Sequence, residues 1–334
     1  MIKLGINGFG RIGRLAFRVA VETDDLTVVA INDPAGDAET LAHLVNFDSI
    51  QGRWQHHASA KGNCLLFDRH CAVCTRHSCI PDMDWSDCDI VIEASGKMRN
   101  RELLQDYLEQ GVKRVVVTAP VNEPDVINVV MGVNDHLFDP ALHKIVTAAS
   151  CTTNCIAPVV KVVHESVGIV HGSITTIHDI TNTQSVLGQP AKDLRRARSS
   201  GTNLIPTTTG SAKAIALIFP ELEGRLNGHA VRVPLANASL TDCVFEVSRA
   251  TTADEVNALL KDAANGKLKN IQGVEDRPLV STDFCGDPRS SIIDSLSTMV
   301  VNDTHLKLYA WYDNEWGYAN RTIELTQLVA ASDG

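Results

Sequence analysis

The sequence predicts an α/β protein of two domains, with a parallel-sheet domain over residues 1–149 and an α+β domain with a mixed sheet over residues 150–314. Three observations favour this fold class. Up to about residue 149, short apolar runs alternate with helical patterns, as in parallel sheets joined by crossover helices. Beyond residue 155 the strand-like runs are longer, which is typical of a mixed sheet. A chain of 334 residues with 44% hydrophobic content can also bury two cores.

The individual elements follow from the spacing of apolar residues. In the first domain we predict strands at 3–7, 26–31, 89–93 and 114–118 and a helix at 101–110. In the second domain we predict strands at 171–178, 229–233, 241–247 and 307–312 and a helix at 253–264.

A glycine motif, Gly8-x-Gly10-x-x-Gly13, follows the first strand and opens a helical pattern. This is the context of the dinucleotide-binding Rossmann fingerprint, in which the glycines allow a tight turn, close approach to a pyrophosphate and close helix packing. The pyrophosphate then lies at the helix N-terminus. Asp33 ends the second strand, and its carboxylate can accept both ribose hydroxyls of NAD while repelling the extra phosphate of NADP. We therefore predict a Rossmann domain that binds NAD.

The segment 150–155, Ser-Cys-Thr-Thr-Asn-Cys, places Cys151 where an apolar helix would begin. Unpaired backbone N–H groups and the helix dipole favour the thiolate at such a position. His178 ends an alternating run that indicates a strand, and pairing with a histidine activates a cysteine. We predict a nucleophile and its base, against the alternative of an inert buried cysteine. Pro158 implies that this helix kinks or begins later.

The composition excludes several classes of partner. A formal net charge of −10 argues against binding phosphodiester backbones, which relies on clustered Lys and Arg. The sequence contains no run of about 18 uncharged apolar residues and does not begin with a secretory signal. We expect a cytoplasmic protein without nucleic-acid or membrane partners.

Nine cysteines, an odd number without framework spacing, predict free thiols in a reducing compartment. Five of them lie in the segment 64–88 together with two histidines. A zinc site is an alternative, because Cys71, Cys74, His77 and Cys79 offer sulfur and nitrogen ligands. Structural zinc sites usually draw their ligands from two separated knuckles, so we predict no metal.

A series of ordered motifs runs through the rest of the chain. They are Glu93-Ala94-Ser95-Gly96, Thr118-Ala119-Pro120, Met131-Gly132-Val133-Asn134, Asp193-Leu194-Arg195-Arg196-Ala197-Arg198, Ile205-Pro206-Thr207-Thr208-Thr209-Gly210, Arg232-Val233-Pro234 and Trp311-Tyr312-Asp313-Asn314-Glu315-Trp316-Gly317-Tyr318. With the glycine motif and the segment 150–155, they resemble the phosphorylating glyceraldehyde-3-phosphate dehydrogenase family over nearly the whole chain. The resemblance implies a catalytic second domain, a last helix within 315–334 that joins the first domain, and a homotetramer.

The resemblance also implies roles for single residues. Cys151 attacks an aldehyde and forms a thioester, and His178 acts as the base. The residues implied in NAD binding are Gly8, Gly10, Arg11, Ile12, Gly13, Asp33, Thr118 and Asn314. Those implied for the substrate phosphate are Thr181, Thr183 and Arg232, and those for the attacking anion are Ser150, Thr152, Arg196, Thr209 and Gly210. The implied substrates are glyceraldehyde 3-phosphate and inorganic phosphate or arsenate.

The segments 32–37, 147–149 and 234–238 resemble the family branch found alongside organoarsenical efflux. This resemblance implies arsenate as the anion in the cell, because arsenate nearly matches phosphate in shape and charge. The product would be 1-arseno-3-phosphoglycerate, exported through functional coupling to an efflux permease.

Three alternative functions stay open. A related phosphorylating dehydrogenase could act on erythrose 4-phosphate, although Thr208-Thr209-Gly210 and the paired anion site fit the glyceraldehyde phosphate enzyme better. A non-phosphorylating aldehyde dehydrogenase would hydrolyse its thioester and would not need Arg196 or Thr209. A non-catalytic NAD-binding regulator would have no use for Cys151 and His178.

Overall fold

A computed structural model of the chain describes residues 1–332, apart from the side chains of residues 212 and 213. The chain forms two compact units, one of residues 1–150 with those from Tyr318 onward, the other of Cys151–Gly317. The strands are β1 Ile2–Asn7, β2 Leu26–Asn32, β3 Phe47–Asp48, β4 Gly52–Arg53, β5 Ala58–Lys61, β6 Cys64–Phe67, β7 His70–Thr75, β8 Ile90–Glu93, β9 Arg114–Val117, β10 Ile127–Asn128, β11 Ile145–Thr147, β12 Ile169–His178, β13 Ile205–Thr208, β14 Leu226–Arg232, β15 Ser239–Val247, β16 Gln272–Glu275, β17 Ser291–Asp294, β18 Met299–Val301 and β19 His305–Tyr312. The α-helices are α1 Arg11–Val21, α2 Ala38–Asn46, α3 Arg101–Glu109, α4 Cys151–Val167, α5 Ser211–Ile218, α6 Ala253–Asn265 and α7 Trp316–Ala331.

The sheet of the first unit has the strand order β10-β11-β9-β8-β1-β2-β7-β6-β5. From β10 to β7 the neighbours are parallel, whereas the pairs β7–β6 and β6–β5 are antiparallel. Every residue of β8 and β9 is buried, as expected for apolar strands covered on both faces. β1 pairs with β2 on one side and with β8 on the other, so the strand order reverses at β1. In α/β sheets, ligands bind at such a reversal, outside the carboxyl ends of the strands. The predicted α/β fold class is confirmed.

Strand bounds in the first unit match the predictions closely. β1, β2, β8 and β9 each begin and end within one residue of the predicted positions. Strands of the second unit begin two or three residues earlier than predicted, at Ile169, Leu226, Ser239 and His305.

The prediction that all nine cysteines are free thiols is wrong for one pair. Cys64 and Cys71 form a disulfide across the β6–β7 hairpin, with a Cα–Cα separation of 5.7 Å. The hairpin register places Cys71 opposite Leu66, so the two cysteines are diagonal neighbours across the ladder. No group of three or more His, Cys, Asp or Glu side chains within residues 1–332 is arranged to hold a metal ion. These residues therefore offer no ligand set for the zinc site considered as an alternative.

Reduction of the Cys64–Cys71 disulfide is expected to lower the free energy of unfolding by about 2 kcal/mol, because the open hairpin gains conformational entropy when unfolded. Urea unfolding with and without a thiol reductant measures this difference. The double variant Cys64→Ser/Cys71→Ser is the control and should not respond to reductant. Equal stability of the oxidised and reduced wild type would contradict the expectation.

The sheet of the second unit has the order β13-β14-β12-β15-β19-β17-β16, with β18 paired to β19. β12 runs parallel to β14 and antiparallel to β15, so the sheet is mixed as predicted. The register places His178 beside Arg232 where β12 and β14 end, and Ser239 beside Tyr312 where β15 begins and β19 ends. One edge of this sheet therefore collects polar side chains from four strands.

Helix α4 begins at Cys151 and contains Pro158 in its interior. The alternative that this helix begins later is therefore wrong, and Pro158 removes one of its intrahelical hydrogen bonds. Among the helices of residues 1–332, none is both long enough and apolar enough to span a bilayer.

Candidate active site

The turn between β1 and α1 requires glycine at two of its three motif positions. Gly8 has φ +90°, and a Cβ there would lie 2.4 Å from the backbone N of Ser95. A Cβ on Gly13 would lie 1.9 Å from the carbonyl oxygen of Gly8. A Cβ on Gly10 would meet nothing within 4 Å, so the backbone is open on that side. This is the cradle expected for a pyrophosphate.

The first turn of α1 supplies donors to this cradle. Gly10 is the N-cap and provides no side-chain cap, and Arg11 and Ile12 are the first helical residues. Their backbone N–H groups are among those that an α-helix leaves without intrahelical partners. The Arg11 guanidinium pairs with Asp48, whose carboxylate is buried. The predicted contact of Arg11 with the cofactor is therefore best assigned to its backbone.

Two further predicted residues lie at the carboxyl ends of β2 and β9. Asp33 accepts hydrogen bonds from the backbone N–H groups of Phe9, at 2.8 Å, and Ala35, at 2.9 Å. Each carboxylate oxygen keeps a second lone pair for a ribose hydroxyl. The Thr118 hydroxyl donates to the Glu93 carbonyl at 3.1 Å. These residues of the first unit fit a bound dinucleotide.

Cys151 and His178 lie together in the second unit. Cys151 Sγ is 3.9 Å from His178 Nε2. The cysteine is partly exposed while only 4% of His178 is exposed, so a reagent can reach the sulfur and water has little access to the imidazole. Cys155 lies one turn further along α4, fully buried, and burial raises the pKa of its thiol to about 12. The two cysteines of this helix therefore differ in exposure, and of the two it is Cys151 that a reagent can reach.

The other imidazole nitrogen, His178 Nδ1, has two charged neighbours. Asp179 Oδ1 lies 2.7 Å from Nδ1, and Arg232 Nη1 also lies 2.7 Å from it. Arg232 donates in addition to the Asp179 carbonyl at 3.1 Å. Burial lowers the pKa of His178, but the interactions with Asp179 and Cys151 outweigh burial and raise this pKa to about 9. The imidazole is therefore protonated at neutral pH.

A network of hydroxyl groups from Tyr312, Thr152 and Thr176 lies beside the imidazole of His178. The Tyr312 ring is edge-on to His178, with ring centroids 6.1 Å apart. The Tyr312 hydroxyl lies 3.0 Å from Thr152 Oγ1 and 2.8 Å from Thr176 Oγ1. Burial raises the pKa of Tyr312 well above its ordinary value, so the phenol stays neutral. Besides its hydroxyl, which contacts Tyr312, Thr152 has a backbone N–H in the first turn of α4 that can serve an anion.

Three of the predicted anion-binding residues form a chain of contacts. The hydroxyls of Thr181 and Thr183 lie 2.9 Å apart, and Arg196 Nη1 donates to Thr183 at 3.3 Å. Arg196 Nε also donates to Thr207 at 2.8 Å. The two predicted anion sets thus meet where Thr183 contacts Arg196.

The remaining predicted residues lie at helix starts and strand ends. Ser150 is partly exposed and directly precedes Cys151. Gly210 is the N-cap of α5, and the Thr209 hydroxyl donates to Ser211 Oγ at 3.1 Å. Asn314 is buried and accepts a hydrogen bond from Ser239 Oγ at 3.0 Å.

Sequence reasoning missed three residues around His178. Asp179, Ser239 and Tyr312 are at most 1% exposed, and Ser239 Oγ accepts from the Asp179 backbone N–H at 3.2 Å. Asp179 had one available signal, since it directly follows the predicted base at a strand end. Tyr312 belongs to the motif 311–318, but that motif assigned it no role, because its partner Thr152 is distant in sequence.

Comparisons with known proteins agree along the whole chain. Residues 150–314 match the model of the C-terminal domain of glyceraldehyde 3-phosphate dehydrogenase, and residues 2–101 match the model of its NAD binding domain. The chain is 57% identical to glyceraldehyde-3-phosphate dehydrogenase 3 of Nostoc sp., over 99% of both chains. It is 48% identical to the glyceraldehyde-3-phosphate dehydrogenase of Geobacillus stearothermophilus, over 99% of this chain and 98% of the relative. With glyceraldehyde-3-phosphate dehydrogenase 1 of Bacillus subtilis it shares 46% identity, over 98% of both chains.

Proposed function

The chain belongs to the glyceraldehyde-3-phosphate dehydrogenase family, and from this premise we propose that it oxidises glyceraldehyde 3-phosphate with NAD through a thioester on Cys151. The observation that carries this proposal is the reachable sulfur of Cys151, 3.9 Å from the buried imidazole of His178. Gly8, Gly10, Gly13 and Asp33 are the residues that would hold the dinucleotide.

The first step forms a carbon–sulfur bond. The Cys151 thiolate attacks the aldehyde carbon, and the carbonyl electron pair moves to the oxygen. His178 enters this step protonated, because its pKa is about 9, and its Nε2–H donates to the new oxyanion. The product is a thiohemiacetal beside a neutral imidazole.

The second step removes hydride from the thiohemiacetal carbon. Bound NAD supplies the acceptor for this hydride. As the C–H bond breaks, the hydroxyl proton returns to His178 Nε2, and the carbon becomes the carbonyl of a thioester. General-base assistance of this kind is worth about 10² to 10⁴ in rate.

The third step transfers the acyl group to an oxyanion. A phosphate oxygen attacks the thioester carbon, the C–S bond breaks, and the electron pair returns to Cys151 beside protonated His178. Arg232 and Thr181 hold the phosphate that the substrate carries, while Arg196, Thr209 and the helix start at Cys151 hold the attacking anion. Arginine suits both tasks, since its planar guanidinium makes paired bonds to phosphate oxygens.

We also propose that arsenate is the physiological anion, that the enzyme is functionally coupled to an efflux permease, and that it assembles as a homotetramer. These proposals are supported by sequence resemblance in the segments 32–37, 147–149 and 234–238 and, for the tetramer, in residues 180–203. The anion-binding side chains are of the same kinds for phosphate and arsenate, so we expect both anions to be used.

Dependence of turnover on an oxyanion tests the proposed function. Without phosphate or arsenate, we expect a burst of about one NADH per chain, and with either anion we expect sustained turnover, because only the anion frees Cys151. NADH absorbance measures both. Sustained turnover without any oxyanion would favour the non-phosphorylating alternative, and no NADH at all would favour the regulator. Faster turnover with erythrose 4-phosphate than with glyceraldehyde 3-phosphate would reassign the substrate. Turnover with phosphate but not with arsenate would reject the arsenate branch.

A further inference from the structure

The carboxylate of Asp179 stands apart from the other acids of the second unit. Asp179 is completely buried, and neither carboxylate oxygen receives a hydrogen bond of good geometry from the described residues. Its short contact with His178 Nδ1, at 2.7 Å, is therefore an ion pair and not a linear hydrogen bond. A buried carboxylate without donors is strongly destabilising unless a cation compensates it.

The backbone of Asp179 is held independently of its side chain. Its N–H donates to Ser239 Oγ at 3.2 Å, and its carbonyl accepts from Arg232 at 3.1 Å. An aspartate is thus not needed to anchor the end of β12. The carboxylate needs an explanation of its own, and the group closest to it is the imidazole of His178.

Charged or titratable groups reach His178 from three elements packed against it. Cys151 faces it from α4, Arg232 from β14 and the neutral Tyr312 from β19. Arg232 can only donate, so its contact with Nδ1 is a hydrogen bond only in the neutral imidazole whose single proton is on Nε2, and not in the imidazolium. Asp179 can only accept, so its contact requires a proton on Nδ1. The two neighbours compete for the same nitrogen, which also lies 3.1 Å from the backbone carbonyl oxygen of Asp179.

A phosphate on the substrate would resolve this competition. An anion that engages the Arg232 guanidinium draws it from Nδ1 and leaves Asp179 as the partner of that nitrogen. We infer that Asp179 is the positioning residue of a Cys151–His178–Asp179 triad, which holds a proton on Nδ1 and directs Nε2 at the sulfur. This inference rests on the proposed function for its kinetic consequence, but its effect on Cys151 can be measured without substrate.

The triad has a chemical consequence at the thiohemiacetal stage. Once the sulfur is bonded to the substrate carbon, its negative charge no longer stabilises the imidazolium of His178. Asp179 still does, so His178 remains a strong enough base to take the hydroxyl proton as hydride leaves. Asp179 touches neither substrate nor sulfur and acts only through the imidazole.

Alkylation of Cys151 by iodoacetamide between pH 5 and pH 10 tests the triad. Peptide mass spectrometry follows the Cys151 peptide apart from those of the exposed Cys79 and Cys285. In the wild type we expect two steps in the rate, the upper one near pH 9 where His178 loses its proton. Asp179→Asn, which keeps the shape of the side chain, should move the upper step down by at least about one pH unit, since a lost charge partner shifts a histidine by that much.

A kinetic readout separates positioning from folding. The NADH burst rate of Asp179→Asn should fall at least about tenfold, with the KM for the aldehyde changed less than about threefold, as for loss of a transition-state contact. Asp276→Asn removes an exposed carboxylate paired with Lys261 and should change neither readout.

Each outcome bears on the triad. An unshifted upper step together with an unchanged burst in Asp179→Asn would overturn it. If that variant does not fold, the wild-type profile decides, because an upper step near pH 6.5 would mean that Asp179 does not hold the imidazolium. A shifted alkylation profile in a protein that makes no NADH from the aldehyde would reject the proposed function and leave the Asp179–His178 pairing standing.

Discussion

Replacing Cys151 by serine is expected to lower kcat for aldehyde oxidation by at least about 10³-fold, because loss of the nucleophile disables the catalytic group as a unit. A serine hydroxyl ionises far less readily than a thiol in the same place at a helix start beside His178. The residues of the glycine turn and Asp33 are unchanged, so NAD should bind with unaltered affinity. Initial rates of NADH formation and quenching of tryptophan fluorescence by NAD measure the two properties.

The matched control for this substitution is Cys285→Ser. Cys285 is an exposed thiol of the same unit, and its replacement should leave both rate and NAD affinity unchanged. Activity of Cys151→Ser above about one tenth of wild type would mean that oxidation does not pass through a covalent adduct on this sulfur.

Replacing His178 by asparagine is expected to slow the NADH burst by about 10² to 10⁴, the usual worth of a positioned general base. The asparagine can donate a hydrogen bond to the oxyanion but cannot take the hydroxyl proton. Rapid-mixing measurements of the burst, with saturating NAD and aldehyde, isolate this step from acyl transfer. A burst as fast as that of the wild type would assign the proton to another group.

The same variant tests the charge state of the histidine. The pKa of His178 in the folded chain, about 9, exceeds its ordinary value of 6.5. Its protonation therefore stabilises the fold fully below pH 6.5, and this contribution is lost as the pH rises through 9. The free energy of unfolding should fall across that window more steeply for the wild type than for His178→Asn, as urea unfolding at several pH values would reveal. Parallel curves would contradict the raised pKa.

The features that could be predicted from sequence are those specified by neighbouring residues. The glycine turn is one, since a Cβ on Gly13 would meet the carbonyl oxygen of Gly8 within the motif itself. His178 is another, because alternation along β12 identifies the strand that carries it. The start of α4 at Cys151 was also predictable from the polar run before an apolar helix.

The features that escaped prediction depend on register and on distant pairs. The Cys64–Cys71 disulfide follows from the register of one hairpin, which composition cannot provide. The contact between Thr152 and Tyr312 joins residues 160 apart in the chain. Asp179 adjoins His178 in sequence, but only the end of the strand turns its carboxylate toward the imidazole.

The most direct test of covalent catalysis is to isolate the acyl-enzyme. Wild-type protein mixed with NAD and glyceraldehyde 3-phosphate in the absence of any oxyanion, and quenched in acid, should carry a 3-phosphoglyceryl thioester on the peptide that contains Cys151, in amounts equal to the NADH formed. Addition of phosphate before the quench should remove it. NADH formed in equal amount with an unmodified Cys151 would contradict the account.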